Sequence, residues 1–84
     1  MKITLKLYAT LTDLLPAGAS HNRADIEVDE NVSLNEIIDR YRVPRDMAHL
    51  VLLNGVFISD TDRDERGLLK AGDTLAIWPP VAGG

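Results

Sequence analysis

The residues best suited to chemistry stand at the end of the sequence, in the segment Pro79 to Gly84. Its two prolines favour an extended backbone, and Gly83 and Gly84 have no side chain that would obstruct a narrow channel. Six extended residues span at most about 20 Å, which is enough to enter the active site of a neighbouring protein. We therefore expect the α-carboxylate of Gly84 to be the reactive group. The residues expected to deliver it are Pro79, Pro80, Val81, Ala82 and Gly83.

A carboxylate at neutral pH is a poor electrophile, so the Gly84 carboxylate would need activation. The simplest route is an acyl-adenylate formed by a separate, ATP-dependent enzyme. Attack by sulfide on that anhydride would give a thiocarboxylate, whereas attack by a lysine amine would give an isopeptide bond. A functionally idle end is the usual interpretation of a terminal Gly-Gly, but the two prolines and the adjoining apolar segment disfavour it here.

A second candidate is a calcium loop in the charged segment Asp60 to Arg66. Three aspartates have the spacing that opens an EF-hand: Asp60, Asp62 and Asp64. The match then fails, because Glu65 stands where a glycine is required and Ala71 where a bidentate glutamate belongs. With Arg63 and Arg66 interspersed, the sequence predicts a solvated polar loop and no metal site.

Composition excludes several further classes of protein. The 84 residues include no cysteine, and the two histidines, His21 and His49, have no neighbouring motif that would make them ligands or catalysts. Nucleotide-binding glycine motifs are absent, so we expect no bound cofactor and no catalysis by the chain alone. A net charge of -4 argues against a nucleic-acid partner. No apolar run is long enough to span a membrane, and no leader is evident, which favours a cytoplasmic location.

Hydrophobic periodicity outlines the elements that must position the C-terminal segment. Alternation predicts strands over residues 2–8 and 23–29, each with one buried face. Ser33 and Glu36 form a capping box at the start of a helix, which should end near Arg42 because Pro44 disfavours helical geometry in the residue before it. The predicted apolar stripe of this helix consists of Leu34, Ile37, Ile38 and Tyr41.

The second half of the chain predicts a hairpin and a final strand. Asn54-Gly55 between apolar runs is the strongest short hairpin signal, and residues 74–78 form the last strand. Together these elements predict an α+β fold, a mixed sheet of about five strands packed on one main helix. We expect a domain of residues 1–78 followed by an extended, flexible tail of residues 79–84. Trp78 should lie on the outer sheet face with Phe57 or Val56, forming an apolar docking surface beside the tail.

This order of elements resembles the ubiquitin-like β-grasp proteins, and the ending Trp78-Pro79-Pro80-Val81-Ala82-Gly83-Gly84 resembles the sulfur-carrier small subunit of molybdopterin synthase, the MoaD type of the MoaD/ThiS superfamily. Three further segments fit the resemblance: Lys6-Leu7-Tyr8-Ala9 with Leu11, Asp13 and Leu14; Leu52-Leu53-Asn54-Gly55; and Ala71-Gly72-Asp73.

The resemblance implies a reaction cycle with several partners. An E1-like adenylyltransferase would use ATP to activate Gly84, a persulfide donor would supply sulfur, and the large subunit of molybdopterin synthase would accept the thiocarboxylate. Sulfur would then pass to cyclic pyranopterin monophosphate during molybdenum cofactor biosynthesis. Alternatives are a carrier for thiamine, tRNA thiolation or cysteine synthesis, a ubiquitin-like modifier of lysines, and a non-covalent β-grasp interaction module.

Overall fold

The computed structural model describes residues 1–80. In chain order the helices and strands are β1 (Lys2–Leu7), a 3-10 helix (Ala9–Leu14), β2 (Arg23–Glu27), α1 (Leu34–Arg40), a 3-10 helix (Arg45–Met47), β3 (Leu50–Leu53), β4 (Val56–Phe57), a 3-10 helix (Asp60–Asp62) and β5 (Thr74–Trp78). The strands form one sheet in the order β2-β1-β5-β3-β4, in which only the central pair of β1 and β5 is parallel. This mixed sheet with its α-helix confirms the predicted β-grasp fold.

The core lies between α1 and one face of the sheet. Leu34, Ile37 and Ile38 are fully buried, as their spacing predicts, while Tyr41 is only partly buried at the edge of the core. The sheet contributes alternate residues of β1, β2 and β5: Ile3, Leu5, Leu7, Ile26, Leu75 and Ile77. Because one helix stripe and one sheet face cover each other, the opposite face of the sheet is left for other contacts.

The start of α1 is capped, although not by the reciprocal box that the sequence predicts. Ser33 Oγ accepts a hydrogen bond of 3.1 Å from the Glu36 backbone N–H, which satisfies one free donor of the first helical turn. The Glu36 carboxylate instead forms an ion pair with Arg66. The prediction for the second half of the box was therefore wrong, because a distant arginine competes for that carboxylate.

The α1 helix ends at Arg40, two residues before the predicted position. Arg42 adopts a left-handed backbone conformation with φ of 61°, and the Val43 N–H donates to the Ile38 carbonyl at 3.0 Å. This is the hydrogen bond of a helix end that usually has glycine at the left-handed position. Pro44 follows only after the helix has already turned away.

An exposed ion pair joins the end of α1 to the next 3-10 helix. Arg45 donates from Nε and Nη2 to the two carboxylate oxygens of Asp39, at 2.8 and 2.7 Å. These hydrogen bonds lower the pKa of Asp39 from its ordinary value. The pair therefore stabilises the fold above the ordinary carboxylate pKa, and this contribution is lost as the pH falls through the lowered pKa. Both side chains are more than half exposed, so solvent screening keeps the effect small.

The β3–β4 hairpin forms at the predicted turn. Asn54 and Gly55 have φ values of 50° and 84°, as a type I′ turn requires. The Asn54 side chain also accepts a hydrogen bond from the Thr74 N–H at 2.9 Å and donates to Asp73 at 3.0 Å. The turn is thus fastened to the beginning of β5, the strand that leads to the C-terminal segment.

The charged loop after β4 differs from its prediction at Arg63, which is buried with only 3% of its surface exposed. Its guanidinium donates to the backbone carbonyls of Ala48 at 2.8 Å and Ile58 at 3.0 Å, and it pairs with Asp60 at 2.7 Å. The prediction that this residue belongs to a solvated loop was wrong. Backbone carbonyls from two other segments replace its hydration.

Candidate functional site at the base of the tail

The C-terminal segment begins from the centre of the sheet. β5 lies between β1 and β3, and its last carbonyls are bound on both sides: Ile77 O accepts from Tyr8 N–H at 3.2 Å and Trp78 O from His49 N–H at 3.1 Å. Pro79 is buried and Pro80 is exposed. The base of the tail is therefore held firmly by the two neighbouring strands.

The predicted tail residues Val81, Ala82, Gly83 and Gly84 lie outside the described residues. The expectations that they extend from the domain and that Gly84 reacts stay predictions, as does the boundary between residues 78 and 79. What the structure adds is the burial of Pro79, which brings the first proline into contact with the folded domain.

Trp78 stacks on Tyr8 at the base of the tail. The two ring centroids are 4.1 Å apart and the ring planes differ by 2°. Stacked aromatic pairs contribute about 0.5–1.5 kcal/mol beyond the area that they bury, so this pair stabilises the end of β5 against the end of β1. Sequence analysis missed Tyr8. Its alternation with Lys6 places it on the outer face, but only the parallel pairing of β1 with β5 brings it beside Trp78.

An apolar surface extends from Trp78 across the outer face of the sheet. Register places Leu50 opposite Trp78, Leu52 opposite Ala76, and Phe57 opposite Leu52. Paired residues share one face of a sheet, so these side chains form one apolar cluster, in which Ala76 is buried among its neighbours. We call this cluster the docking patch: Leu50, Leu52, Phe57, Ala76 and Trp78. Leu50 is 38% and Phe57 is 55% exposed.

Val56 does not belong to the docking patch. It is 63% exposed, but it pairs with Leu53, which in turn pairs with the buried core residue Leu75. Its side chain therefore lies on the face opposite to that of Phe57. The sequence left the choice between Phe57 and Val56 open, and the register selects Phe57.

The three aspartates of the calcium-like motif are engaged by different protein groups. Asp60 pairs with Arg63, Asp62 accepts from Ser59 at 3.2 Å, and Asp64 accepts from Asn35 at 2.9 Å. Within residues 1–80 no three histidine or acidic side chains are grouped so that they could hold a metal ion. No α-helix in the same range has the length and hydropathy of a membrane span.

Comparison with known proteins links this fold to one family. The model of the ThiS family matches residues 5–84. Among solved structures, SAMP1, the small archaeal modifier protein 1 of Haloferax volcanii, is similar with 26% identity and a TM-score of 0.67, covering 100% of both chains. Comparison with the curated proteins gave no match.

Two further structures share the fold at lower identity. One is a Pyrococcus furiosus protein provisionally described as molybdopterin converting factor subunit 1, with 24% identity, a TM-score of 0.66, and coverage of 95% of this chain and 98% of that one. The other comes from a complex of subunits 1 and 2 of molybdopterin-converting factor from Helicobacter pylori, with 18% identity, a TM-score of 0.59 and full coverage of both chains.

Proposed function

We propose that this chain, which belongs to the ThiS family, is a sulfur carrier that works through the carboxylate of Gly84. The observation that carries the proposal is the extent of the family match, which runs from residue 5 to Gly84 and so includes most of the sheet, the base of the tail and the Gly-Gly ending. The chain itself supplies the group that is modified, and its partners supply the catalytic side chains.

The proposed chemistry proceeds in two steps at one atom. An E1-like adenylyltransferase joins the Gly84 carboxylate to AMP from ATP and releases pyrophosphate. In the second step the outer sulfur of a persulfide donor displaces AMP to give an acyl disulfide, and a thiol then reduces its S–S bond, which releases the thiocarboxylate and leaves the donor sulfur in a disulfide with that thiol. Gly83 and Gly84 suit both steps because an unbranched backbone can pass through a narrow channel, and two preceding prolines reduce the entropy lost on insertion.

Within this function we propose that the sulfur acceptor is cyclic pyranopterin monophosphate, in molybdopterin synthesis. The support comes from the ending Trp78 to Gly84, which resembles that of the small subunit of molybdopterin synthase, and from the similar folds of two molybdopterin converting factor subunits. The chain would then be the small subunit, and the large subunit would bind the thiocarboxylate and the pterin.

The docking patch fits this role by its position. It lies on the face of the sheet that α1 leaves uncovered, and Trp78 belongs both to the patch and to the base of the tail. A partner that covers Phe57 and Leu50 would therefore hold the tail at a defined distance from its own active site. Fixing the base of a short segment raises the effective concentration of its tip.

A second candidate function is covalent modification of other proteins. It is favoured by the similarity to small archaeal modifier protein 1, which at 26% identity is above the identity of the two molybdopterin-related structures. Activation of Gly84 would be the same, but a lysine amine would displace AMP and form an isopeptide bond.

Mass spectrometry of the full chain tests the sulfur-carrier proposal. The chain is incubated with its cognate activating enzyme, ATP, a persulfide donor and a thiol reductant, and the expected product has one oxygen of the Gly84 carboxylate replaced by sulfur. A reaction without ATP and a variant lacking Gly83 and Gly84 serve as controls. An unchanged mass with all components present would refute the proposal.

The sulfur carrier, the covalent modifier and the non-covalent module predict different products and different effects of removing Gly83 and Gly84. Transfer of sulfur from the loaded chain to cyclic pyranopterin monophosphate, in the presence of the cognate large subunit, supports the molybdopterin assignment. Lysine adducts of Gly84 on other proteins support the modifier. Full function of the variant lacking Gly83 and Gly84 would contradict both and favour a non-covalent interaction module.

A further inference from the structure

Two basic residues of the outer sheet face lie directly opposite each other. Lys6 of β1 pairs with Arg23 of β2, and on its other side Lys6 is in register with Ala76 of the docking patch. Lys6 alternates with the buried Leu5 and Leu7, so its side chain lies on the outer face, and Arg23 shares that face as its cross-strand partner. Arg23, Lys6 and Ala76 are therefore successive neighbours across β2, β1 and β5, so the two basic residues lie beside the docking patch.

This arrangement is unfavourable for the isolated chain. Like charges directly opposite on neighbouring strands destabilise a sheet, and within residues 1–80 none of the ion pairs includes Lys6 or Arg23. The next acidic residue on this face, Asp25, accepts a hydrogen bond from Thr4. By contrast, Lys2 at the other end of β1 lies opposite Glu27. The chain has a net charge of -4, so two adjacent basic residues differ from its overall charge. Their pairing does not stabilise the fold.

The location of the pair suggests what it binds. Lys6 adjoins Ala76, and the next residue on the same face is Tyr8, which directly follows β1 and stacks on Trp78 at the base of the tail. A protein that covers the docking patch would therefore approach Lys6 and Arg23 at the rim of the same interface. Rim charges contribute mainly to the rate of association and to the choice of partner.

We propose that Lys6 and Arg23 bind acidic side chains of the activating enzyme when that enzyme covers the docking patch. This inference rests on the proposed function, because it takes the ATP-dependent enzyme as the partner. That enzyme is the choice because activation of Gly84 precedes each of the covalent routes. The charge repulsion tolerated in the free chain is then replaced by attraction in the complex.

The test compares two double variants of the full chain with equal net charge. Lys6→Glu with Arg23→Glu should weaken binding to the cognate activating enzyme about 10-fold or more at low salt, mainly through slower association, and the difference should shrink as salt is added. The control is Arg42→Glu with Lys70→Glu, which makes the same change of charge at two exposed positions away from the docking patch and should weaken binding by no more than about 3-fold. Equal weakening by the two double variants would overturn the proposal.

A second measurement uses the free chain. Lys6→Glu alone places opposite charges across from each other, so its midpoint of thermal unfolding should rise by roughly 1–6 °C even as binding weakens. A fall in the midpoint would contradict the repulsion on which the inference depends.

Failure of this inference is distinguishable from failure of the proposed function. Normal binding and normal sulfur loading of the Lys6→Glu, Arg23→Glu variant would refute the inference alone. An unmodified chain that binds the enzyme but acquires no sulfur would refute the carrier function, while the salt-dependent role of the basic pair would still stand.

Discussion

Arg63 joins three separate segments of the chain. Its guanidinium binds the carbonyls of Ala48 and Ile58, and its own carbonyl accepts a 3.0 Å hydrogen bond from the Asn35 N–H in the first turn of α1. The exposed carboxylate of Asp60 balances its charge. The loop after β4 is therefore tied both to the segment before β3 and to the helix.

Replacing Arg63 with alanine should lower the free energy of unfolding by about 2–4 kcal/mol. The substitution leaves buried carbonyls without donors and opens space where the long side chain packed. Urea denaturation measures the change. Arg66→Ala is the matched control, because Arg66 is exposed and its ion pair with Glu36 should contribute about 1 kcal/mol or less. Equal effects of the two substitutions would show that the burial of Arg63 has no energetic importance.

The burial of Arg63 could not be predicted from sequence. An arginine among aspartates is typical of a solvated loop, and one of the carbonyls that replace its water belongs to Ala48, fifteen residues away, which reaches the guanidinium only in the folded chain. The outer-face position of Trp78 was predictable, because alternation with the apolar Leu75 and Ile77 assigns it to the opposite face. Its contact with Tyr8 depends on strand pairing, which local patterns do not specify.

At the scale of elements, the sequence predictions that the structure confirms are those that depend on local backbone geometry. Asn54-Gly55 predicts the β3–β4 turn because both residues tolerate positive φ, and residues 74–78 form β5 as predicted. The end of α1 was predicted near Arg42 and lies at Arg40, because Pro44 sets only an outer limit for the helix. The actual end lies where Arg42 enters the left-handed region, a conformation that its sequence context does not indicate.

Replacing Arg42 with glycine should stabilise the chain by about 0.5–1 kcal/mol. Glycine adopts φ near 60° without the steric cost that a side chain incurs, although its more flexible unfolded state offsets part of the gain. Arg42→Ala is the control, since it removes the same charge but keeps the β-carbon. Thermal or urea unfolding should rank glycine above alanine, and the reverse order would show that the left-handed conformation carries no strain.

At the scale of the whole molecule, the sheet has two faces with different tasks. One face is covered by α1 and forms the core, while the outer face carries the docking patch on β3, β4 and β5 and the basic pair on β1 and β2. β5 is the central strand, so the tail begins from the part of the sheet with a bonded neighbour on each side. A partner that binds the tail therefore contacts a segment whose first residues are fixed by the sheet.

This division of the sheet predicts that two neighbouring residues of β4 differ in effect. Phe57→Ser should weaken binding of the full chain to its cognate activating enzyme about 10- to 100-fold, because a half-exposed aromatic ring in the docking patch loses its buried contact area in the complex. Val56→Ser is the matched control, since Val56 is more exposed but lies on the other face. Calorimetric titration should show little change for this variant.

The stability of the free chain separates binding from folding in this comparison. Both side chains are largely exposed, so each substitution should change the free energy of unfolding by only about 0.5 kcal/mol. If Val56→Ser weakened binding as much as Phe57→Ser, the partner would contact the edge of the sheet instead of its outer face. The register of the outer residues, which places Phe57 in one row with Leu52 and Ala76, would then be irrelevant to docking.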